Sequence, residues 1–371
     1  MSDLLVTTHT PILRSGQTMR TYGVARALAA KGQLTLLYSR FEGDVPDEAF
    51  SSIPGIELRE VVPSRGLGRL AAFAAARLRG TPRGFARGIS PELAREAARL
   101  AATPGRERVV ADGPIVAAAL SSLSRKRPVI YNAHNIESGF RGELGEGSVG
   151  ALERFERGLL DRAAESWMVS EADLAAARSL CPEAQLRYVP NVVDVSAIEP
   201  VGEPPSEQRA LFVANFAYEP NRNGLRFLIE RVLPLVWEQL PEARLTLVGA
   251  GLDEPPSTDP RVEAVGFVDD LGAAYRSARC AVVPLLQGGG TPLKFVEALA
   301  YGIPVLATPR AAAGLAVTAG RDCLLAEDER DFAAALAGVL RDGAPEIGRA
   351  GRAVALESYS IEALAGLLAE P

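Results

Sequence analysis

The sequence predicts an α/β protein made of two tandem, doubly wound parallel-sheet domains. Short apolar runs alternate with helix-period segments along nearly the whole chain, and strands that alternate with helices form a parallel sheet wrapped on both faces. The alternation breaks once, at IEPVGEPPSEQ (198–208), which has three prolines and no apolar period, and then restarts. The length of 371 residues fits two domains better than one core. The expected division is an N-terminal domain over 1–195, a linker over 196–208 and a second domain over 209–350. A C-terminal helix over 351–371 is expected to pack back on the first domain.

Taken in order, LLVTTH is a strand, and SGQTMRTYGVARALAAKG is a helix capped by Ser15 and closed by Gly32. QLTLLYS and IELREVV follow as strands, then RLAAFAAARL and PELAREAARLAA as helices. RVVAD is a strand, PIVAAALSSLS a helix, PVIYNAH a strand and VGALERFERGLLDRAA a helix. SWMVS, EADLAAARSL and LRYVPN complete the first domain. In the second, ALFVANF is a strand, NGLRFLIERVLPLVWEQL a helix, and RLTLVGAG and VEAVGFV are strands. DDLGAAYRSA is a helix and CAVVPLL a strand. A glycine-rich segment, CLLAED, and the helices RDFAAALAGVLRD and IEALAGLLAE close the chain.

Composition excludes several classes. A net charge of −6 argues against bulk attraction to nucleic acid. Cys181, Cys280 and Cys323 are scattered with no C-x-x-C, so neither a disulfide framework nor a cysteine zinc site is supported. No apolar run reaches the roughly eighteen residues of a membrane span. A reducing, cytoplasmic setting is expected. The loop that follows the first strand, THTPILRSGQTMRTYG, carries no G-x-G-x-x-G, which argues against a dinucleotide oxidoreductase.

The chemistry concentrates in GGGTPLKFVEALAYGIPVLAT (288–308). Gly288, Gly289 and Gly290 leave the backbone bare, Thr291 suits an N-cap and Pro292 a first helical position, and Gly302 ends the helix. Open N–H groups at such a start attract a phosphate. Lys294 and Glu297, three apart, share a face. An anion would offset the unfavourable placing of Lys294 in the first turn, and Glu297 could accept from the hydroxyls of a ribose. The same residues also fit a tight turn with a surface Lys and a solvated Glu.

On these residues the chain resembles the retaining glycosyltransferases of family 4, whose GT-B fold is two facing Rossmann-like domains with an interdomain cleft. EALAYGIPVLAT is similar to the second half of that family's donor-site signature, Glu, seven residues, Glu, ahead of a G-x-P-V strand. The resemblance implies that Glu297 holds the donor ribose. The first Glu would fall at Gly289, which leaves the donor sugar open. The resemblance extends along the chain. SGQTMRTYG is similar to the family's first loop, where Gly16 and Gln17 would meet donor phosphate or acceptor. NAHNIES carries His134, with Glu137 after it, at the place of a family histidine that would touch the transferred sugar or the acceptor hydroxyl; His9 is the other candidate. VPNVVD is similar to the PNGVD exit, with Asn191 and Asp194 structural. In LFVANFAYEPNRNGL, Ala214, Asn215 and Asn221 stand where many relatives have Gly-Arg and Lys. Lys294 and Arg222 would then supply the positive charge, and Asn215 hydrogen bonds. GFVDDL would bring the main chain of Phe267 and Val268 to the base, and Leu293 completes the donor-binding set.

The resemblance implies transfer from a nucleotide-diphosphate sugar to an acceptor hydroxyl with retention, in glycan, glycolipid or natural-product glycoside biosynthesis, with no cofactor and no metal. The competing readings are a sugar-nucleotide epimerase on the same fold and a binding protein with a degenerate site. The stretch 64–88 has six Arg and no acid. It is either a solvated helix face or a surface that meets an anionic membrane and a lipid-linked acceptor.

Overall fold

A computed structural model describes residues 2–40, 43–139, 149–252, 254–268, 270–287 and 291–369. Two compact units emerge. Unit 1 comprises Met1–Asn191 together with Leu364–Pro371, and unit 2 comprises Val192–Ala363.

Unit 1 is built on seven parallel strands: β1 (Ser2–Thr7), β2 (Gln33–Ser39), β3 (Ile56–Val61), β4 (Arg106–Asp112), β5 (Ile130–Asn132), β6 (Glu165–Met168) and β7 (Leu186–Tyr188). Their order is β3-β2-β1-β4-β5-β6-β7. The central strands are buried runs such as Leu4, Leu5 and Val6, as expected where both faces of a parallel sheet are covered. The helices α1 (Gly16–Ala29), α2 (Leu67–Leu78), α3 (Pro91–Ala101), α4 (Pro114–Ala119), α5 (Val149–Arg162) and α6 (Glu171–Leu180) connect them. Leu93, Ala97 and Leu100 of α3 pack with Leu4, Val6 and Val109, while Phe155 and Leu159 of α5 pack with Tyr131 and Met168. α2 is different: Leu67, Leu70 and Leu78 are exposed, and its one buried residue is Ala76.

Unit 2 has six parallel strands: β8 (Arg209–Val213), β9 (Arg244–Val248), β10 (Val262–Gly266), β11 (Cys280–Val283), β12 (Val305–Ala307) and β13 (Leu324–Leu325), in the order β10-β9-β8-β11-β12-β13. Its helices are α7 (Glu219–Phe227), α8 (Leu233–Gln239), α9 (Leu271–Arg276), α10 (Leu293–Tyr301), α11 (Glu329–Asp342) and α12 (Pro345–Ser358); α13 (Ile361–Leu367) carries the chain back to unit 1. One face of the sheet packs Phe212, Leu228, Phe332 and Leu336, the other Leu211, Val283, Phe295 and Leu299.

Three elements depart from the sequence reading. The single helix expected over NGLRFLIERVLPLVWEQL is α7 and α8 joined by a π-helical turn at Leu228–Val232. Pro234 has no N–H for the carbonyl four residues earlier, and a wider turn absorbs the mismatch. α10 starts at Leu293, with Pro292 as N-cap at ψ 104, so neither Thr291 as N-cap nor Pro292 as the first helical residue holds. An extended ψ at Pro292 keeps it out of the helix. α12 was not expected as a complete helix, because Gly348 and Gly351 dilute its pattern. Both glycines face α10: a Cβ on Gly348 would lie 2.2 Å from the carbonyl oxygen of Gly302, and one on Gly351 would lie 2.7 Å from Leu299.

Among the described residues, no helix is long and apolar enough to cross a membrane. A cavity of about 800 Å³ lies in unit 1 at the amino-terminal edge of its sheet, where Arg108 donates to the carbonyl oxygen of Leu368 at 2.9 Å. Ligands of open α/β sheets bind at the opposite edge.

Candidate functional site

Each sheet reverses its strand order once, between β8 and β11 in unit 2 and between β1 and β4 in unit 1. Loops that leave neighbouring strands at such a point run in opposite directions and open a crevice beyond the carboxyl ends. Both crevices hold a polar cluster.

In unit 2, β8 leads through Asn215 to α7, and the chain after β11 leads to α10. These two exits bring Asn221 and Lys294 together. The Lys294 ammonium donates to Asn221 Oδ1 at 2.5 Å, and Asn221 Nδ2 donates to the Asn215 carbonyl at 2.7 Å. Asn215 Oδ1 accepts from the Ala217 N–H at 3.0 Å. The ammonium lies 6.0 Å from the centre of the Phe212 ring. Among the described residues, no carboxylate pairs with it. Burial lowers the Lys294 pKa to about 8, because the charged form has lost water. The N–H groups of Leu293 and Lys294 open α10 ahead of its own hydrogen bonds, the first of which run to the Pro292 carbonyl.

Glu297 lies one turn on. Burial pushes its carboxyl up to about 7, partly offset by the Tyr275 hydroxyl, which donates at 3.5 Å. Tyr275 stacks on Tyr301 with ring centres 4.2 Å apart. Gly302, left-handed at φ 71, closes the helix. Arg352 of α12 donates to the carbonyls of Ala300 and Ile198, which fixes the back of α10.

Of the other expected donor residues, Phe267 stands 78% exposed just beyond β10, and Val268 packs into the core beside α10. Thr291 is buried. Arg222 pairs with Glu219 on the exposed side of α7, so its charge is engaged there. Gly288, Gly289 and Gly290 lie outside the described residues.

In unit 1 the crevice is lined by a buried network. His134, past β5, donates from Nε2 to Asp112 Oδ1 at 2.9 Å. Asp112, the last residue of β4, also accepts from Asn132 at 2.7 Å and from the Thr21 hydroxyl at 2.6 Å. Burial opposes ionisation of this carboxyl, but His134 and Thr21 outweigh it and hold the pKa down at about 2. An ionised Asp112 keeps a proton of His134 on Nε2. Arg20, fully buried, donates to Asn132 Oδ1 at 2.6 Å and to Val189 and Asn191 at 2.9 and 3.1 Å. Burial lowers its pKa to about 10 against the pull of Asp112. His9, past β1, has its pKa lowered by burial and by His134, with Asp112 acting the other way. Gly113 sits at φ 83, where a side chain is strained, and a Cβ there would lie 3.1 Å from the imidazole of His134. Gly16 and Gln17 are exposed at the start of α1, where Ser15 and Thr18 form a capping box. Asp194 accepts from Ser196 at 2.8 Å. Among the described residues, no group of three or more His, Cys, Asp or Glu is placed to hold a metal ion.

Residues 207–342 match the family described as glycosyl transferases group 1. That span contains Asn215, Asn221, Lys294 and Glu297. A phosphatidyl-myo-inositol mannosyltransferase of Mycobacterium leprae is 33% identical over 131 residues, which is 32% of this chain and 34% of that protein. The chain thus spans about a third of the length of the curated relatives it matches. Among solved structures, sucrose-phosphate synthase of Thermosynechococcus elongatus superposes with a TM-score of 0.75 over 100% of this chain and 97% of that one, at 19% identity. Anabaena HepE in complex with UDP superposes with a TM-score of 0.70 over 100% and 99%, at 14% identity. The same protein with UDP-glucose gives 0.67 over 99% and 98%, also at 14% identity. The fold is GT-B.

Sequence reading missed Asp112, Thr21, Asn132 and Arg20. RVVAD does end in an acid, but its partners emerge only from the register that sets Asp112 beside Asn132. Asn221 was read as a lost cation; in the fold it orients the remaining one.

Proposed function

We propose that the chain is a retaining glycosyltransferase of family 4 that moves a sugar from a nucleotide-diphosphate sugar to an acceptor hydroxyl, in glycan, glycolipid or natural-product glycoside biosynthesis. One observation carries this reading. A half-buried cation without a carboxylate partner opens a helix at the switch point of a segment that matches group 1 glycosyltransferases, one turn ahead of a half-buried Glu. The relatives' own ligands and names support the donor class: HepE is described with UDP-glucose, and the Mycobacterium leprae protein is a mannosyltransferase.

In this reading the departing diphosphate gains charge as the anomeric carbon becomes cation-like. Donors already aimed at that charge lower the barrier most. Lys294 and the first N–H groups of α10 are assigned that role, and Glu297 accepts from the ribose hydroxyls. Phe267 offers the base a flat apolar face. His134, held by Asp112, is assigned to a hydroxyl of the sugar or acceptor. The departing phosphate takes the acceptor proton on the face it leaves, which retains configuration. No cofactor or metal is assigned. The reaction is assigned to the cytoplasmic side of a membrane. There α2 offers Leu67, Leu70 and Leu78 to lipid, and the arginines of 64–88 offer it positive charge.

The test has three parts. UDP, GDP and ADP are screened for a rise in melting temperature, since a ligand that binds only the folded form stabilises it. Lys294→Ala is expected to cut turnover by about 10²-fold or more, and Glu297→Ala to weaken the nucleotide shift. Wild-type rates in both variants would overturn the assignment, and release of free nucleotide with no glycosylated product would favour an epimerase. For the membrane contact, Arg69→Glu, Arg77→Glu should lose co-sedimentation with anionic liposomes; equal binding ends that part.

A further inference from the structure

A second cavity in unit 1, of about 260 Å³, lies beyond the carboxyl ends of β1, β2 and β3, where α2 and the start of α3 close over it. Thr8 lines it, so it adjoins His9 and the crevice that holds His134. Its lining carries Arg40, Arg65, Arg69 and Arg87 against one carboxylate, Glu92. Arg40 is committed to Glu60 at 3.4 Å. Glu92 is held by the Ser90 hydroxyl at 3.0 Å and paired with Arg95 at 3.4 Å, outside the cavity lining. Among the described residues, the guanidinium groups of Arg69 and Arg87 have no hydrogen bond or ion pair. The cavity therefore carries excess positive charge.

A second observation points the same way. Ser39 ends β2, lines this cavity and is 2% exposed, yet its hydroxyl has no hydrogen-bond partner. Buried hydroxyls are rarely left unpaired. An oxyanion held by guanidinium groups would accept from it, and phosphate is the group that arginine forks match best. The volume is below the usual range for sites that take a whole drug-sized ligand, and it suits a head group. Leu67 and Leu70, exposed on α2 near Arg69, would lie along an apolar tail.

We propose that this cavity binds a phosphate group carried by the acceptor, with Arg69, Arg87 and the Ser39 hydroxyl as its contacts. The inference rests on the glycosyltransferase reading only in calling the phosphate-bearing molecule the acceptor. The phosphate could belong to a lipid head group or to a soluble phosphate ester, and two probes separate these.

Glycerol 3-phosphate is titrated against the protein and followed by broadening of its phosphorus resonance. Separately, the protein is sedimented with phosphatidylcholine vesicles that contain or lack phosphatidylglycerol. Both are repeated with Arg69→Gln, Arg87→Gln and with Ser39→Ala, each first shown to melt at the wild-type temperature. Binding of either probe should fall about tenfold or more in the double variant and about fivefold in Ser39→Ala. Loss in the vesicle arm, with competition by glycerol 3-phosphate, assigns a lipid head group; loss in the soluble arm alone assigns a soluble ester. Absence of binding, or binding equal in wild type and variants, overturns the proposal. The UDP-induced melting shift, expected to weaken in Glu297→Ala, is recorded on the same samples. A UDP shift without phosphate discrimination defeats this inference alone. Phosphate discrimination without a response to any nucleotide defeats the transferase reading and leaves the phosphate site standing.

Discussion

Lys294 and Glu297 are tuned toward each other's range by the same burial. The ammonium is lowered to about 8 and the carboxyl is raised to about 7. On the proposed reading, donor binding needs the cation on Lys294 and the acceptor form of Glu297. The first is lost as pH rises through about 8, the second as pH falls through about 7. A profile of kcat/KM with a maximum between these values is expected in the free protein. Lys294→Arg keeps its charge at all accessible pH, so it should erase the alkaline limb while the acid limb stays; persistence of the alkaline limb would remove Lys294 as its source. Asp112 titrates far away. Its folded pKa of about 2 lies below the ordinary 3.8, so the stability it contributes is present above pH 4 and is lost as pH falls through about 2. Asp112→Ala strands the donors of Thr21, Asn132 and His134, and a loss of about 3–5 kcal/mol in denaturant unfolding is expected.

At the scale of elements, the site depends on how α12 holds α10. Gly348 and Gly351 let the two helices approach until main chain meets main chain. Gly348→Ala must push them apart, and overpacking of this kind costs about 1–3 kcal/mol. The expected result is a lower melting temperature together with weaker nucleotide binding, although residue 348 touches no ligand. If nucleotide affinity is unchanged, α12 does not set the position of α10. Sequence patterns exposed the strands well, because β1, β8 and β11 are buried runs bounded by turns. They exposed α12 poorly, because glycines needed for contact read as helix breakers. α10 was visible from its glycine stop, but its start was displaced by one residue. Proline at a helix entrance can stand just inside or just outside, and only its ψ decides.

Across the whole molecule, alternation of strand and helix was legible on both sides of the 198–208 break, and so was the α/β class of each half. Of the two crevices, the one in unit 2 was legible from a contiguous segment, of which TPLKFVEALAYG (291–302) lies among the described residues. In unit 1 the sequence pointed to His134 and His9, but not to the network around them, since Arg20, Thr21, Asp112 and Asn132 meet only through strand order. The return of Leu364–Pro371 to unit 1 carries energetic weight. Leu364 and Leu368 are almost fully buried, and Arg108 and Arg187 bond the carbonyls of Leu368 and Leu367. A chain that stops after Ala363 should lose about 3–6 kcal/mol, from two buried leucines at about 1.5–3 kcal/mol each. Calorimetry should show this loss in the transition of unit 1, and an unaltered profile would refute it.

Because Leu364–Pro371 belong with Met1–Asn191, the half that leaves the ribosome first is the half completed last. During synthesis, the nascent amino-terminal portion must wait, missing its final wedge, while the whole of the other half is translated.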